Sequence, residues 1–187
     1  MKKLFLGVAM LAMVAAAYAF IVVPNNTTPV PTTAETAEIK WYTWEEAIKL
    51  SEKKPKKIFI DLYTDWCGWC KKMDQTTFKD EAVVKYMNEN FYAVKFDAEQ
   101  KGEVKFKDHT FKYVPSGNRG IHELAYSLLD GKLSYPSYVY LDEDQNRITI
   151  SPGYKTADSF VKEIKFIGGG FYQTKTYQEF LKGEQGK

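Results

Sequence analysis

Cysteine is nearly absent from this chain of 187 residues, which holds only Cys67 and Cys70. A single pair cannot staple a small disulfide scaffold, and it supplies half of what a tetrahedral structural zinc site needs. Histidine is as sparse, and His109 and His122 lack the close spacing of a zinc-binding pair. Arginine is confined to Arg119 and Arg147, and the formal charge of +2 falls to about zero without Lys2 and Lys3. No bulk field therefore draws in nucleic acid. The lysine-rich run Lys53-Lys54-Pro55-Lys56-Lys57 reads as a solvated helix end and strand entry. Charge is missing altogether from Leu4 to Val23, and no internal repeat is apparent.

That uncharged stretch follows Met1-Lys2-Lys3 and contains Ala17-Tyr18-Ala19. Basic start, apolar core and small-residue site fit a secretory signal over residues 1–19. The apolar run continues to Val23, and about 20 such residues can cross a bilayer as a helix. An uncleaved membrane anchor reaching residue 23, with its lysines inside, is the alternative. No cysteine adjoins the run, which excludes lipid attachment at an N-terminal cysteine. Either reading predicts an exported protein, in the periplasm or on the outer face of the cytoplasmic membrane, where disulfides persist. Residues 24–38, rich in Pro, Thr, Asn and Ala, read as a flexible linker, and residues 39–187 as one well-cored domain.

What cysteine there is stands in one place, Trp66-Cys67-Gly68-Trp69-Cys70, just after the apolar run Ile58 to Tyr63. The pattern predicts a strand, a short turn and a helix continuing through Lys71, Lys72 and Met73. A cysteine at a helix start lies among unpaired N–H groups at the positive end of the dipole, which favours thiolate over thiol. Thiolate is the form that attacks disulfides. The second cysteine, one turn on, faces the same side. Cys67 is the expected nucleophile and Cys70 the resolving thiol. A static bridge, a metal site and inert buried cysteines compete with this reading. A bridge over so short a loop restrains the unfolded chain little, and a C-x-x-C pair beside a strand–helix pattern favours redox chemistry.

Elsewhere the periodicity predicts the remaining elements. Thr43-Trp44-Glu45-Glu46 is a capping box, starting a helix that runs to about Lys53 with Trp44, Ala47, Ile48 and Ser51 inward. Lys57 to Tyr63 is a strand covered on both faces, Asp80 to Asn90 a helix, and Phe91 to Asp97 a strand. Residues 98–120 look like an insertion. Within it Val104 to Val114 predicts a hairpin turning at Asp108-His109, with Phe106 opposite Phe111 and Val104 opposite Tyr113. Pro115 to Asn118 reads as a loop, and Ile121, Leu124, Ala125 and Leu128 as a helix stopped by Gly131. Ser137 to Leu141 and Arg147 to Ile150 are strands, Thr156 to Ile167 a helix with Phe160, Ile164 and Ile167 inward, and Tyr177 to Leu181 a short helical tail. His109 and His122 are expected at the surface. The fold class is α/β, a mixed central sheet with helices on both faces.

From Trp41 to Ile167 the chain resembles the thioredoxin superfamily. Trp66-Cys67-Gly68-x-Cys70 corresponds to the W-C-G-x-C active site of that family. Asp61 lies where thioredoxins keep a buried acid beneath the second cysteine, and Lys95 where they place a lysine near that acid. Tyr135-Pro136 matches the cis-proline loop that lies against the disulfide. The insertion and Ser134-Tyr135-Pro136-Ser137 resemble envelope thioredoxin-like proteins of bacteria more than small cytosolic thioredoxins. The resemblance implies a thioredoxin-like three-layer α/β/α fold with a β-hairpin/helix insertion before the cis-proline strand.

It also implies roles. Asp61, its pKa raised by burial, would act with Cys67 and Cys70 as the base that takes the proton of the resolving cysteine. Lys95, Gly68 and Trp69 would tune the pair. Trp66, Tyr135 and Pro136 would bind substrate, with the backbone of Tyr135 pairing an extended chain as an added strand. Oxidases and isomerases of the family often carry histidine where Trp69 stands, so a less oxidising pair is expected here. The expected activity is an exported thiol:disulfide oxidoreductase acting mainly as a reductase, with no cofactor and no metal. Its expected partners are disulfide- or thiol-containing envelope proteins and an unidentified membrane electron donor. The rivals are an oxidase or isomerase, a binding or chaperone module without turnover, and a carrier serving cytochrome maturation or metal delivery.

Overall fold

The structure is a computed structural model and describes residues 38–185. The signal or anchor expected over 1–23, and all but Glu38 of the 24–38 linker, lie outside the described residues. Among the described residues no helix is long and apolar enough to cross a membrane.

Three stretches of the sheet run parallel: β1 (Trp41–Tyr42), β2 (Lys57–Tyr63) and β3 (Phe91–Asp97). Against β2 lies β8 (Ser137–Leu141), antiparallel, and β9 (Arg147–Pro152) closes the sheet, in the order β1-β3-β2-β8-β9. β2 and β8 are buried over nearly their whole length, as strands covered on both faces must be. β1, with only two residues, is too short for any alternation to reveal it.

Side chains alternate along a strand, so parity sorts the core into two layers. Phe59, Ala93, Tyr138 and Tyr140 point to one face, against α2 (Gly68–Gln75), α3 (Glu81–Asn90) and α5 (Ala157–Gly168). Ile58, Ile60, Leu62, Val94, Phe96, Val139 and Leu141 point to the other, against α1 (Trp44–Lys53) and α4 (Glu123–Leu128). Thr43 caps α1 through a complete capping box with Glu46, and Asp80 caps α3 through the N–H groups of Ala82 and Val83. α6 (Tyr177–Gln185) docks through Phe180 onto Phe166.

The insertion differs from its prediction. β4 (Val104–Phe106) and β5 (His109–Phe111) turn at Lys107-Asp108, where Lys107 takes φ 52°. Phe106 therefore pairs His109, and Val104 pairs Phe111. The pairing has slid by two residues, a shift that keeps Val104, Phe106 and Phe111 on one face and so is invisible to the apolar pattern. Tyr113 is released to a second hairpin, β6 (Tyr113–Ser116) with β7 (Arg119–His122), formed where a loop and the start of a helix were expected. Ile121 lies in β7, and α4 begins only at Glu123. The insertion is thus two hairpins and a short helix.

His122, expected at the surface, is fully buried. Its Nδ1 accepts the N–H of Leu124 and caps α4, Nε2 bonds Gly102 O at 2.9 Å, and the ring meets Phe96 edge-on. Burial lowers its pKa. Polarity misled the expectation, because a histidine with both nitrogens bonded is at home in a core.

Candidate active site

β2 delivers the chain to a turn at Thr64, where Cys67 N–H donates to Thr64 O at 3.0 Å, and α2 starts at Gly68. Cys67 is the N-cap, and its Sγ accepts the backbone N–H of Cys70 at 3.1 Å. That contact is the helix-mouth stabilisation expected of the attacking sulfur. Cys67 and Cys70 are bonded, with S–S 2.09 Å and Cα–Cα 5.3 Å. In the closed bridge Cys67 is 5% exposed and Cys70 4%. The sulfur is spent in its bond, and the accessible surface belongs to the flanking indoles, with Trp66 51% and Trp69 61% exposed.

Parity puts the candidate base behind this turn. Asp61 shares the face of Phe59, toward α2, and pairs in register with Lys95 on β3 and Tyr138 on β8. It is 2% exposed, and its Oδ1 has no hydrogen-bond partner. Burial pushes the carboxyl up to about 7; the Lys95 ammonium 3.8 Å away opposes the rise, and Asp74 adds to it.

Lys95, expected to serve Asp61, has Asp74 as its closest partner. Its ammonium also lies 5.1 Å from the Tyr63 ring centroid and 5.4 Å from that of Trp41. Asp74 was overlooked, although it stands four residues after Cys70 on the same helix and so on the same face, a signal the helical period contains. Gly68 takes the first helical position without a left-handed φ, and nothing lies within 4 Å of where a Cβ would project. Neither the backbone nor its neighbours demand a glycine there.

The Tyr135-Pro136 peptide is cis, and Pro136 O accepts the N–H of Gly153 at 2.8 Å. The Tyr135 ring meets Trp66 edge-on at 6.0 Å, which sets this loop beside the cysteine turn. Burial, with Glu99 and Asp97 nearby, pushes the Tyr135 phenol up to about 12. Trp69 packs on Tyr154 at 5.2 Å, forming a second aromatic lip. Glu99 accepts the Trp66 indole N–H at 2.9 Å, and the Arg119 guanidinium lies 4.7 Å over that ring. Glu99, Arg119 and Tyr154 were not anticipated, because they reach the site only through the insertion and the chain beyond β9. Among the described residues no cluster of three or more His, Cys, Asp or Glu could hold a metal ion.

Residues 24–154 match the model of the Thioredox_DsbH family, described as a protein of unknown function, DUF255. An uncharacterised protein of Caenorhabditis elegans, B0495.5, is 31% identical over 112 residues, covering 59% of this chain and 13% of that protein. Thiol:disulfide interchange protein DsbD of Actinobacillus pleuropneumoniae is 49% identical over 35 residues, covering 19% of this chain and 6% of DsbD. The chain therefore spans only a small part of the length of these curated relatives. Among solved structures, a thioredoxin-fold protein from Helicobacter pylori superposes with a TM-score of 0.53 at 22% identity, over 70% of this chain and 80% of that one. The fold is the thioredoxin fold.

Proposed function

This chain belongs to the Thioredox_DsbH family, and on that footing we propose that it is an exported thiol:disulfide oxidoreductase that reduces disulfides of envelope proteins. Thiol–disulfide redox chemistry is the role that the family and the fold suggest. The observation that carries the reading is the bonded Cys67–Cys70 pair at the mouth of α2, with Cys67 Sγ already accepting the Cys70 N–H. In the dithiol form that N–H and the helix terminus stabilise a Cys67 thiolate. The thiolate attacks a client disulfide. A bond forms from Cys67 to one client sulfur as the client bond breaks, and the other client sulfur leaves as thiolate and takes up a proton. Cys70 then loses its proton to Asp61, directly or through water, and attacks Cys67 Sγ. The second client thiolate departs. Two electrons have passed from the pair to the client, and a membrane electron donor restores the dithiol.

Export rests on the basic start and uncharged stretch of residues 1–23. The direction of flow rests on Trp69, which supplies no charge or hydrogen bond to hold the thiolate form as histidine would. In cells, Cys70→Ala should accumulate mixed disulfides through Cys67, whereas Cys67→Ser should accumulate none. Equal trapping by both variants, or by neither, overturns the assignment of nucleophile and resolver. Equilibration with glutathione should return a potential near that of thioredoxins, roughly −270 mV; a value near −120 mV would make the protein an oxidant instead.

A further inference from the structure

We propose that the β6–β7 hairpin is a client-selecting arm of the redox site, and that Arg119 is its specificity-determining residue, receiving a carboxylate of the client polypeptide. The proposal rests on the redox reading above and adds the class of client to it.

Three observations carry it. First, the hairpin is held as a rigid support. At its base, buried His122 is bonded to Gly102 O and Leu124 N–H, and its own N–H donates to Ala98 O at 2.7 Å. Glu123 clamps Lys112, the residue that joins β5 to β6, since its carboxylate accepts Lys112 N–H and its own N–H donates to Lys112 O. Gly120 lets the Tyr113 ring lie across β7, where a Cβ would come within 2.4 Å of the ring and of Val114 O. Second, this support carries Arg119 to the ring of Trp66, the residue that precedes Cys67. The indole is fixed by Glu99 at its N–H and by Tyr135 at its edge, so the guanidinium lies over an ordered platform. Third, the guanidinium is uncommitted. Among the described residues the Arg119 side chain has neither a carboxylate partner nor a hydrogen bond, whereas that of Arg147 is engaged by Asp130 and by Leu128 O.

A guanidinium over a ring face bonds the ring through its charge and leaves its fork of N–H donors free to receive a carboxylate bidentately. Glu99 and Asp97 stand beside Tyr135, so the selection rests on the Arg119 fork itself and not on a bulk field of the insertion. A client chain laid along Tyr135 to bring its disulfide to Cys67 passes the platform on which Arg119 sits. An acidic residue near the target cysteine then falls within reach of the fork.

The test compares two peptides that differ only in Glu or Gln at the second residue on either side of one cysteine. Two readouts are taken with the full chain. The first is the binding of cysteine-to-serine peptides to the oxidised protein, followed by tryptophan fluorescence. The second is the exchange rate of the disulfide-linked peptides with the reduced protein. Wild type should favour the Glu peptide by about threefold to fivefold in both, the upper part of the range for an exposed ion pair. Arg119→Ala should bring the ratio to about one, and Arg119→Lys should restore part of it, since a point charge replaces the fork. A wild-type ratio of one, or a ratio unchanged by Arg119→Ala, overturns the arm. Binding selectivity without exchange of either peptide overturns the redox reading and leaves the arm standing.

Discussion

The carboxyl of Asp61 lies between a desolvating core and two charges of opposite sign, Lys95 on β3 and Asp74 on α2. Its folded pKa of about 7 stands above the ordinary 3.8. A raised acid stabilises the fold fully below the unfolded pKa, and that contribution is lost as pH climbs through the folded one. The loss therefore accumulates between about pH 4 and pH 7. Asp61→Asn removes it, and Lys95 keeps Asp74 as its partner, so no buried charge is stranded. The variant should be more stable than wild type by about 2–4 kcal/mol at pH 8 and nearly equal to it at pH 4. Urea unfolding of the oxidised protein at both pH values checks this; a gain independent of pH would mean that the carboxyl titrates normally. Under the proposed mechanism, in which Asp61 takes the proton of Cys70, the same variant should slow the resolution of mixed disulfides.

At the scale of elements, two glycines separate a permissive position from a demanding one. Gly68 opens α2 with free space about its missing Cβ, whereas Gly120 sits under Tyr113 and against Val114 O in the β6–β7 hairpin. Gly68→Ala should leave stability within about 1 kcal/mol of wild type, on the stabilising side, because alanine loses less backbone entropy. Gly120→Ala forces a backbone shift and should cost about 1–3 kcal/mol, read as a fall in thermal midpoint. Equal behaviour of the two would mean that the hairpin backbone at Val114, as well as the Tyr113 ring, gives way freely. The motif W-C-G-x-C marks Gly68 as notable and passes over Gly120, whose importance exists only once β6 is paired with β7. A motif records where chemistry recurs; it does not record where a side chain fails to fit.

At the scale of the molecule, the sheet divides two cores of different character. The α2/α3/α5 face is aromatic: Phe59 lies within 6.3 Å of Trp41, Phe78, Tyr138, Tyr140 and Phe160, centroid to centroid. The α1/α4 face is largely aliphatic, with Trp44 bridging α1 to Phe106 of the insertion at 5.0 Å. Phe59 is fully buried at the centre of the first, so Phe59→Ala should cost about 3–5 kcal/mol in denaturant unfolding, transfer and cavity together. Trp69→Ala, at an exposed lip, should stay within about 1 kcal/mol. That contrast separates aromatic residues that hold the fold from those exposed beside the cysteine pair.

Local rules sufficed for much of this protein. Capping residues and apolar periods settle within a few positions, so α1, β2, α3, β3, β8 and α5 were legible from the residues alone, as was a cysteine pair at a helix start. Proximity across the sheet was not. That Asp61 faces α2 follows from parity, but that Lys95 turns chiefly to Asp74, and that His122 is buried, depends on which elements pack together. The insertion escaped for a sharper reason. Sliding a hairpin by two residues leaves its apolar face intact, so periodicity could not choose between registers. The choice belongs to contacts far apart in the chain, among them Trp44 on Phe106 and Arg119 on Trp66.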